Sequence, residues 1–226
     1  MLDRVIDLIF PPRCGGCQLT GAWLCDICRR RIRRLEEPLC RRCGAELDSA
    51  RETCGCRGRL RALSRLRSAV AYEGPTEQLV HRFKYQGWRR LASPLALLLA
   101  DRMVIEGLAS SCVVAVPLHE NRQRERGFNQ SELLAAELRS QLKLREPPGR
   151  LVRKRPTPPQ VGKDRLRRWE NVHDAFAWQG RPLGGQPLIV VDDVATTGAT
   201  LEACAAALRA AGSGAVTGVT VARVKV

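Results

Sequence analysis

The chain has 226 residues, 44% of them hydrophobic, which suits one α/β unit with a real core plus a small appendage and excludes global disorder. Lys and Arg number 38 against 23 Asp and Glu, a formal net charge of +15 that favours anionic partners such as nucleic acid, phosphorylated metabolites or a membrane surface. Aromatics at 4% exclude a broad base-stacking platform, and no apolar run approaches the roughly 20 residues of a bilayer span.

In chain order, residues 1–12 carry Asp3, Arg4 and Asp7 and lack a small-residue cleavage site, so a secretory signal is not expected and the cytoplasm is the expected compartment. Eight of the ten cysteines then fall within the first 56 residues, as Cys14-x2-Cys17, Cys25-x2-Cys28, Cys40-x2-Cys43 and Cys54-x-Cys56. In a reducing compartment such paired spacings indicate metal thiolates rather than disulfides. Two thiolates on one tight turn occupy two vertices of a tetrahedron, and a second turn closes the Zn²⁺ shell. Two structural zinc sites, each of four cysteines, are expected in an N-terminal segment 1–60. Sequential grouping needs only short loops, and interleaved grouping stays open. Arg29, Arg30, Arg31, Arg33, Arg34, Arg41 and Arg42, then Arg57, Arg59, Arg61, Arg65 and Arg67, form either a solvated face or a phosphate-contact surface.

From residue 66 to 226 apolar runs alternate with helical periodicity, the sign of βαβ construction and an open, mostly parallel sheet with helices on both faces. Strands are expected at 66–72, 112–116, 187–191 and 216–224. Helices are expected at 76–85, from Pro94 onward, at 130–142 with Leu134, Leu138 and Leu142 at fourfold spacing, and at 200–211. Segment 145–172, rich in Pro, Arg and Lys, shows neither period for long and reads as a flexible basic loop.

The most informative run is 188–200. A buried strand ends in Asp192 and Asp193, and a small-residue turn with Thr196, Thr197, Gly198 and Thr200 opens a helix. Ligands bind beyond the carboxyl ends of parallel strands. The turn offers backbone N–H groups, hydroxyls and a helix N-terminus, which suit a phosphate monoester. The twin acids suit sugar hydroxyls or a hydrated Mg²⁺. No Gly-x4-Gly-Lys-Ser/Thr occurs, which excludes a Walker P-loop.

This run resembles the phosphoribosyl-diphosphate (PRPP) motif of type I phosphoribosyltransferases. With Phe83-Lys84-Tyr85-x-Gly87, Val116-Pro117-Leu118-His119, Arg122, Arg124, Arg126-Gly127-Phe128-Asn129-Gln130, Thr157-x2-Gln160, Arg168-x2-Asn171 and Phe176, the chain resembles the ComF (GntX-like) competence family, which carries an N-terminal zinc ribbon. The resemblance implies a phosphoribosyltransferase fold and a link to DNA uptake, with competence-machinery proteins as partners. It implies that Asp192 and Asp193 hold ribose hydroxyls, and that Thr196, Thr197, Gly198 and Thr200 hold the 5′-phosphate. Pro117, Leu118 and His119 would meet the diphosphate with Mg²⁺, Arg122, Arg124 and Arg126 would neutralise it, Lys84 would be a further anion ligand, and the basic loop would close over the site. Asp192, Asp193 and Arg126 are the expected catalytic residues, transferring a phosphoribosyl group to an unnamed acceptor with release of pyrophosphate. The alternative is a non-enzymatic accessory protein that binds single-stranded DNA.

Overall fold

One strand shows how the sheet is built: Ile189 and Val191 of the apolar run face one core, Leu188 and Val190 the other. The computed structural model describes residues 11–49, 52, 54–56, 58–108, 112–154 and 174–225. A short helix, α1 (Asp26–Arg31), lies in the cysteine segment. It is followed by β1 (Leu63–Ala71), α2 (Pro75–Tyr85), a 3-10 turn (Arg89–Leu91), α3 (Ala92–Ile105) and β2 (Cys112–Ala115). Then come α4 (Glu120–Arg126), α5 (Gln130–Leu142), β3 (Gly149–Arg153), β4 (Phe176–Gly180), β5 (Leu188–Ala195), α6 (Ala199–Ala210) and β6 (Val216–Arg223).

Strands β1, β6, β5 and β2 lie in that order and all run parallel. Burial on both faces explains why β5 reads as an unbroken apolar run. Leu79 and Phe83 of α2, Leu95 and Leu99 of α3 and Leu134 and Leu138 of α5 fill one core with Ile189 and Val191. Leu201, Cys204 and Leu208 of α6 fill the other with Val190. The expected open parallel sheet with helices on both faces, preceded by a cysteine-rich segment, is what forms.

The cysteine segment shares these cores. Cys14, Leu24, Cys28 and Ile32 pack in the first, and Cys40, Cys43 and Leu60 in the second. It also covers the outer edge of β1, an unpaired row that would otherwise invite association. Leu66 N donates to Arg42 O at 2.8 Å and Ala71 N to Arg33 O at 2.9 Å. Four buried arginines of the body donate to carbonyls of that segment. Arg82 reaches Gly15 O and Gly16 O, Arg102 reaches Leu35 O, Arg67 reaches Cys40 O and Arg223 reaches Cys43 O.

One expectation needs correction. Within 145–172, read as loop throughout, residues Gly149–Arg153 form β3, antiparallel to β4. Only Leu151 of that strand is fully buried, too little to print an alternation. Residues 155–173, which hold the rest of the expected basic loop, lie outside the described residues. The helix α4 was also not expected: none of its residues is buried, so no apolar stripe marks it. Its ends do carry signals, His119 as cap and Gly127 in the left-handed region at φ 72°.

Candidate functional site

The carboxylate pair sits where β5 outruns its neighbour. β2 stops at Ala115, paired with Val191, while β5 continues beside β6 to Ala195. Asp192 and Asp193 therefore stand next to the departing chain 116–119, beyond the end of β2.

Asp193 is buried, and Lys84 Nζ of α2 lies 2.8 Å from its Oδ1. Desolvation works against the Lys84 charge, but attraction to Asp193 outweighs it and holds the ammonium pKa above its usual range. Asp192 Oδ1 accepts from Ser131 Oγ and from Asp193 N, each at 2.9 Å. Desolvation, then repulsion by Asp193, push its pKa up to about 7, against the pull of Lys84 and these donors. Burial also raises the Tyr72 phenol, which follows β1.

After β5 the chain turns through Thr196 and Thr197 to Gly198, which has φ 82° and begins α6. A side chain there would be strained by that angle and would also meet Leu66 Cδ2 at 3.1 Å. Thr197 Oγ1 accepts from Ala199 N at 3.3 Å. Glu202, in the first turn of α6, accepts from the backbone N–H groups of Arg61, Ala62 and Leu63 at 2.6, 2.6 and 2.9 Å. A cavity of about 210 Å³ separates Thr196 and Thr197 from Cys43, Cys54, Arg59 and Arg223, so the turn faces the second thiol cluster.

The 116–119 segment is fixed by Asn129, whose Nδ2 donates to Val116 O at 3.0 Å while its Oδ1 caps α5 at Ser131 N. Pro117, Leu118 and His119 are half-buried, and His119 Nδ1 accepts from Asn121 N at 3.3 Å as the cap of α4. Arg126 lies over the Tyr85 ring at 4.9 Å and donates to Gln130 Oε1 at 3.1 Å. Gln130 Nε2 in turn reaches Lys84 O at 3.4 Å. The structure thus gathers Asp192, Asp193 and Lys84, with Arg126 beside Tyr85. Lys84, expected as a further ligand of the bound anion, has its charge against the Asp193 carboxylate. Arg122 lies 3.9 Å from Glu125 and Arg124 3.5 Å from Glu120, each an ion pair within α4.

Two residues of the site were not singled out from sequence. Ser131 holds Asp192, and its only signal is the cap Asn129 two residues earlier. Arg153 of β3 lies within electrostatic reach of Asp192 and Arg122. Burial lowers its pKa, with Cys204 and Asp192 opposing. Its strand had no readable period.

The eight cysteines form two groups, Cys14/Cys17/Cys25/Cys28 and Cys40/Cys43/Cys54/Cys56, whose sulfurs all lie within 4.8 Å of one another in each. The grouping is sequential. Neighbouring sulfurs lie 3.6 Å apart for Cys17–Cys25, 3.5 Å for Cys43–Cys54 and 3.6 Å for Cys40–Cys56. A tetrahedral ion with Zn–S of about 2.3 Å needs roughly 3.8 Å, so the geometry suits structural zinc with all four positions filled by protein. Burial opposes ionisation of Cys14, yet N–H donors from Cys25, Cys17 and Gly16 bring it down to about 6. Cys40 is likewise brought to about 7 by donors from Cys43 and Arg42 against burial. Cys28, Cys43 and Cys56 are pushed up instead, by burial first and then by the neighbouring thiols, and a bound cation would favour the thiolate at each.

Of the arginine run, Arg33 is held by Glu46 and Glu73, Arg34 by Asp101, Arg42 by Leu60 O and Arg67 by Glu106. Arg29, Arg30 and Arg31 are exposed at the end of α1. Among the described residues no helix is long and apolar enough to cross a membrane.

A family model described as double zinc ribbon domain matches residues 5–57. The DNA utilization protein YhgH of Escherichia coli (strain K12) is 31% identical over 219 residues, spanning 92% of this chain and 96% of that one. Competence protein F of Haemophilus influenzae is 31% identical over 206 residues, spanning 88% and 89%. Competence protein ComFC of Bacillus subtilis is 28% identical over 200 residues, spanning 82% and 77%. Among solved structures, orotate phosphoribosyltransferase from Aeropyrum pernix is 23% identical with a TM-score of 0.34, covering 64% of this chain and 62% of that chain, a likeness too loose to carry an argument.

Proposed function

The chain belongs to the family of DNA utilization protein YhgH and competence protein F, and within it we propose that the carboxyl end of β5 binds PRPP. The observation that carries this reading is the acid pair, Asp192 and Asp193, set one turn ahead of the hydroxylated segment 196–200 at the start of α6. Carboxylates accept hydrogen bonds only, so they suit the two ribose hydroxyls and repel a phosphate. The turn, with its Thr hydroxyls and the N–H groups of a helix start, suits the 5′-phosphate.

Mg²⁺ fits this site only in company. No third acidic or thiol ligand joins the pair among the described residues, so the carboxylates alone make no cage. Mg²⁺ usually keeps several waters and takes one or two carboxylates plus substrate phosphates. Bound with the diphosphate, it would neutralise the charge that gathers there as the C1′–O bond breaks. The protein's own share is positional. Ser131 and Lys84 fix the two carboxylates, Asn129 fixes the 116–119 turn, and Arg126 and Arg153 add positive charge around the leaving group. Transfer of the phosphoribosyl group to an acceptor, with loss of pyrophosphate, is the reaction that such a site supports.

The names of the relatives concern DNA utilization and competence, and a role in handling incoming DNA is proposed for this chain on that ground. The exposed Arg29, Arg30 and Arg31 favour a second reading, an accessory protein that holds single-stranded DNA electrostatically. Calorimetric titration of PRPP with Mg²⁺ separates the two. Heat that vanishes in Asp192→Asn/Asp193→Asn supports the sugar-phosphate site. No heat in wild type, with strand affinity that falls steeply with salt, supports the second reading.

A further inference from the structure

Apart from the acid pair, a cavity of about 580 Å³ opens at the seam between the first thiol cluster and the body, lined by Arg13, Trp23, Gly87, Trp88, Arg89 and Arg90 among others. Its size falls within the usual range for small-ligand sites. Two indoles form its apolar part. Trp23 comes from the cysteine segment and Trp88 from the turn after α2, with ring centroids 6.2 Å apart at 84°, edge to face. Both are only partly buried, so neither ring is consumed by the core.

Both rings are held in place. Trp23 O accepts from Gly15 N at 2.9 Å. The Arg82 guanidinium sits 5.5 Å from the Trp88 ring while it donates to Gly15 O and Gly16 O. Arg90 lies 6.0 Å from the Trp23 ring. Gly87 has φ 71°, and no atom lies within 4 Å of where its side chain would stand, so a ligand can approach the backbone there. Three arginines line it and, among the described residues, no carboxylate does; Arg89 also donates to Gly127 O at 2.8 Å and lies 4.8 Å from the Phe128 ring.

A ligand matching this wall presents a flat π surface and a negative charge together. An acidic peptide would meet the arginines and leave the indoles unmatched. We propose that the cavity takes one nucleotide unit, with its base against Trp23 and Trp88 and its phosphate on Arg13, Arg89 and Arg90. A few aromatics concentrated in one cavity serve a single base, whereas their scarcity elsewhere excludes a long stacking platform. This inference is independent of the PRPP reading, because none of the cavity's residues belongs to the acid pair or its turn.

The unit is either a free nucleotide or part of a single strand, and the full-length zinc-loaded chain distinguishes them. Tryptophan fluorescence is followed during titration with dTMP, with a short oligo(dT), and with an abasic oligomer of equal length. Quenching by dTMP assigns a free nucleotide and quenching by oligo(dT) alone assigns a strand. Trp88→Leu is expected to weaken whichever binds by about tenfold or more, the scale of one lost base stack. Arg13→Gln with Arg90→Gln, at exposed positions, reads the phosphate contact and serves if Trp88→Leu does not fold. No quenching by either probe, abasic oligomer binding as tightly as oligo(dT), or wild-type affinity in these variants overturns the proposal.

Discussion

Lys84 Nζ stands 2.8 Å from Asp193 Oδ1, and both side chains are largely removed from solvent, at 20% and 9% exposure. This contact joins α2 to the carboxyl end of β5. Removing the lysine leaves a buried carboxylate without its counter-ion, which costs about 3 kcal/mol. Lys84→Met should therefore lower the urea midpoint markedly, and adding Asp193→Asn should restore much of the loss. If Lys84→Met unfolds at the wild-type midpoint, the pair does not hold the site together.

Burial, then the charge of Asp193, pushes the Asp192 carboxyl up from an ordinary 3.8 to about 7. Its folded pKa is raised, so between about pH 4 and pH 7 the folded state binds the proton that the unfolded state has lost. Stability from this group accordingly declines as pH rises through that window and levels off above it. Binding of ribose hydroxyls to the carboxylate runs the other way and should strengthen from pH 6 to pH 8. Ser131→Ala removes a donor to the ionised form and should move the midpoint upward. Asp192→Asn should abolish the step that belongs to this group. Affinity profiles across pH, taken for all three proteins, check this.

Zinc content should be two per chain, one for each thiol cluster. Cys17→Ser and Cys43→Ser should each lose one. Their consequences should differ, because the cavity beside Cys43 and Cys54 also borders Thr196 and Thr197, whereas the first cluster does not reach that turn. Cys43→Ser should weaken sugar-phosphate binding more than Cys17→Ser does. Metal quantification paired with calorimetry tests the order, and equal effects would contradict it.

Arg82 is buried and satisfies two carbonyls of the first knuckle. Arg82→Leu leaves them without that donor, a loss of roughly 1–3 kcal/mol for each buried group left unsatisfied. Faster zinc release to a chelator from the first cluster, with the second unaffected, is the expected result. Unchanged release kinetics would show that the clamp is dispensable.

Much of the architecture was legible because burial leaves periodic marks. The apolar run of β5 and the fourfold leucines of α5 announce a two-sided sheet and its covering helix, and 130–142 has the bounds expected for it. The cysteine spacing announces metal knuckles, though only the folded chain decides between sequential and interleaved grouping. What escaped reading are features that bury little or that exist only across the tertiary structure. Helix α4 buries none of its residues, and β3 fully buries only Leu151. Which arginines clamp carbonyls and which face solvent cannot be told from a run of Arg, since Arg67 and Arg65 look alike until Glu106 stands beside one of them. Asp192 and Asp193 were readable as a motif. That Lys84 neutralises one and Ser131 holds the other was not, because both arrive from distant helices.

A crystal of the zinc-loaded chain soaked with PRPP and Mg²⁺ tests the central claim most directly. The account predicts density for the 5′-phosphate within hydrogen-bond reach of residues 196–200 and both ribose hydroxyls on Asp192 and Asp193. A sugar phosphate bound elsewhere, or no density at these residues at saturating ligand, would contradict it.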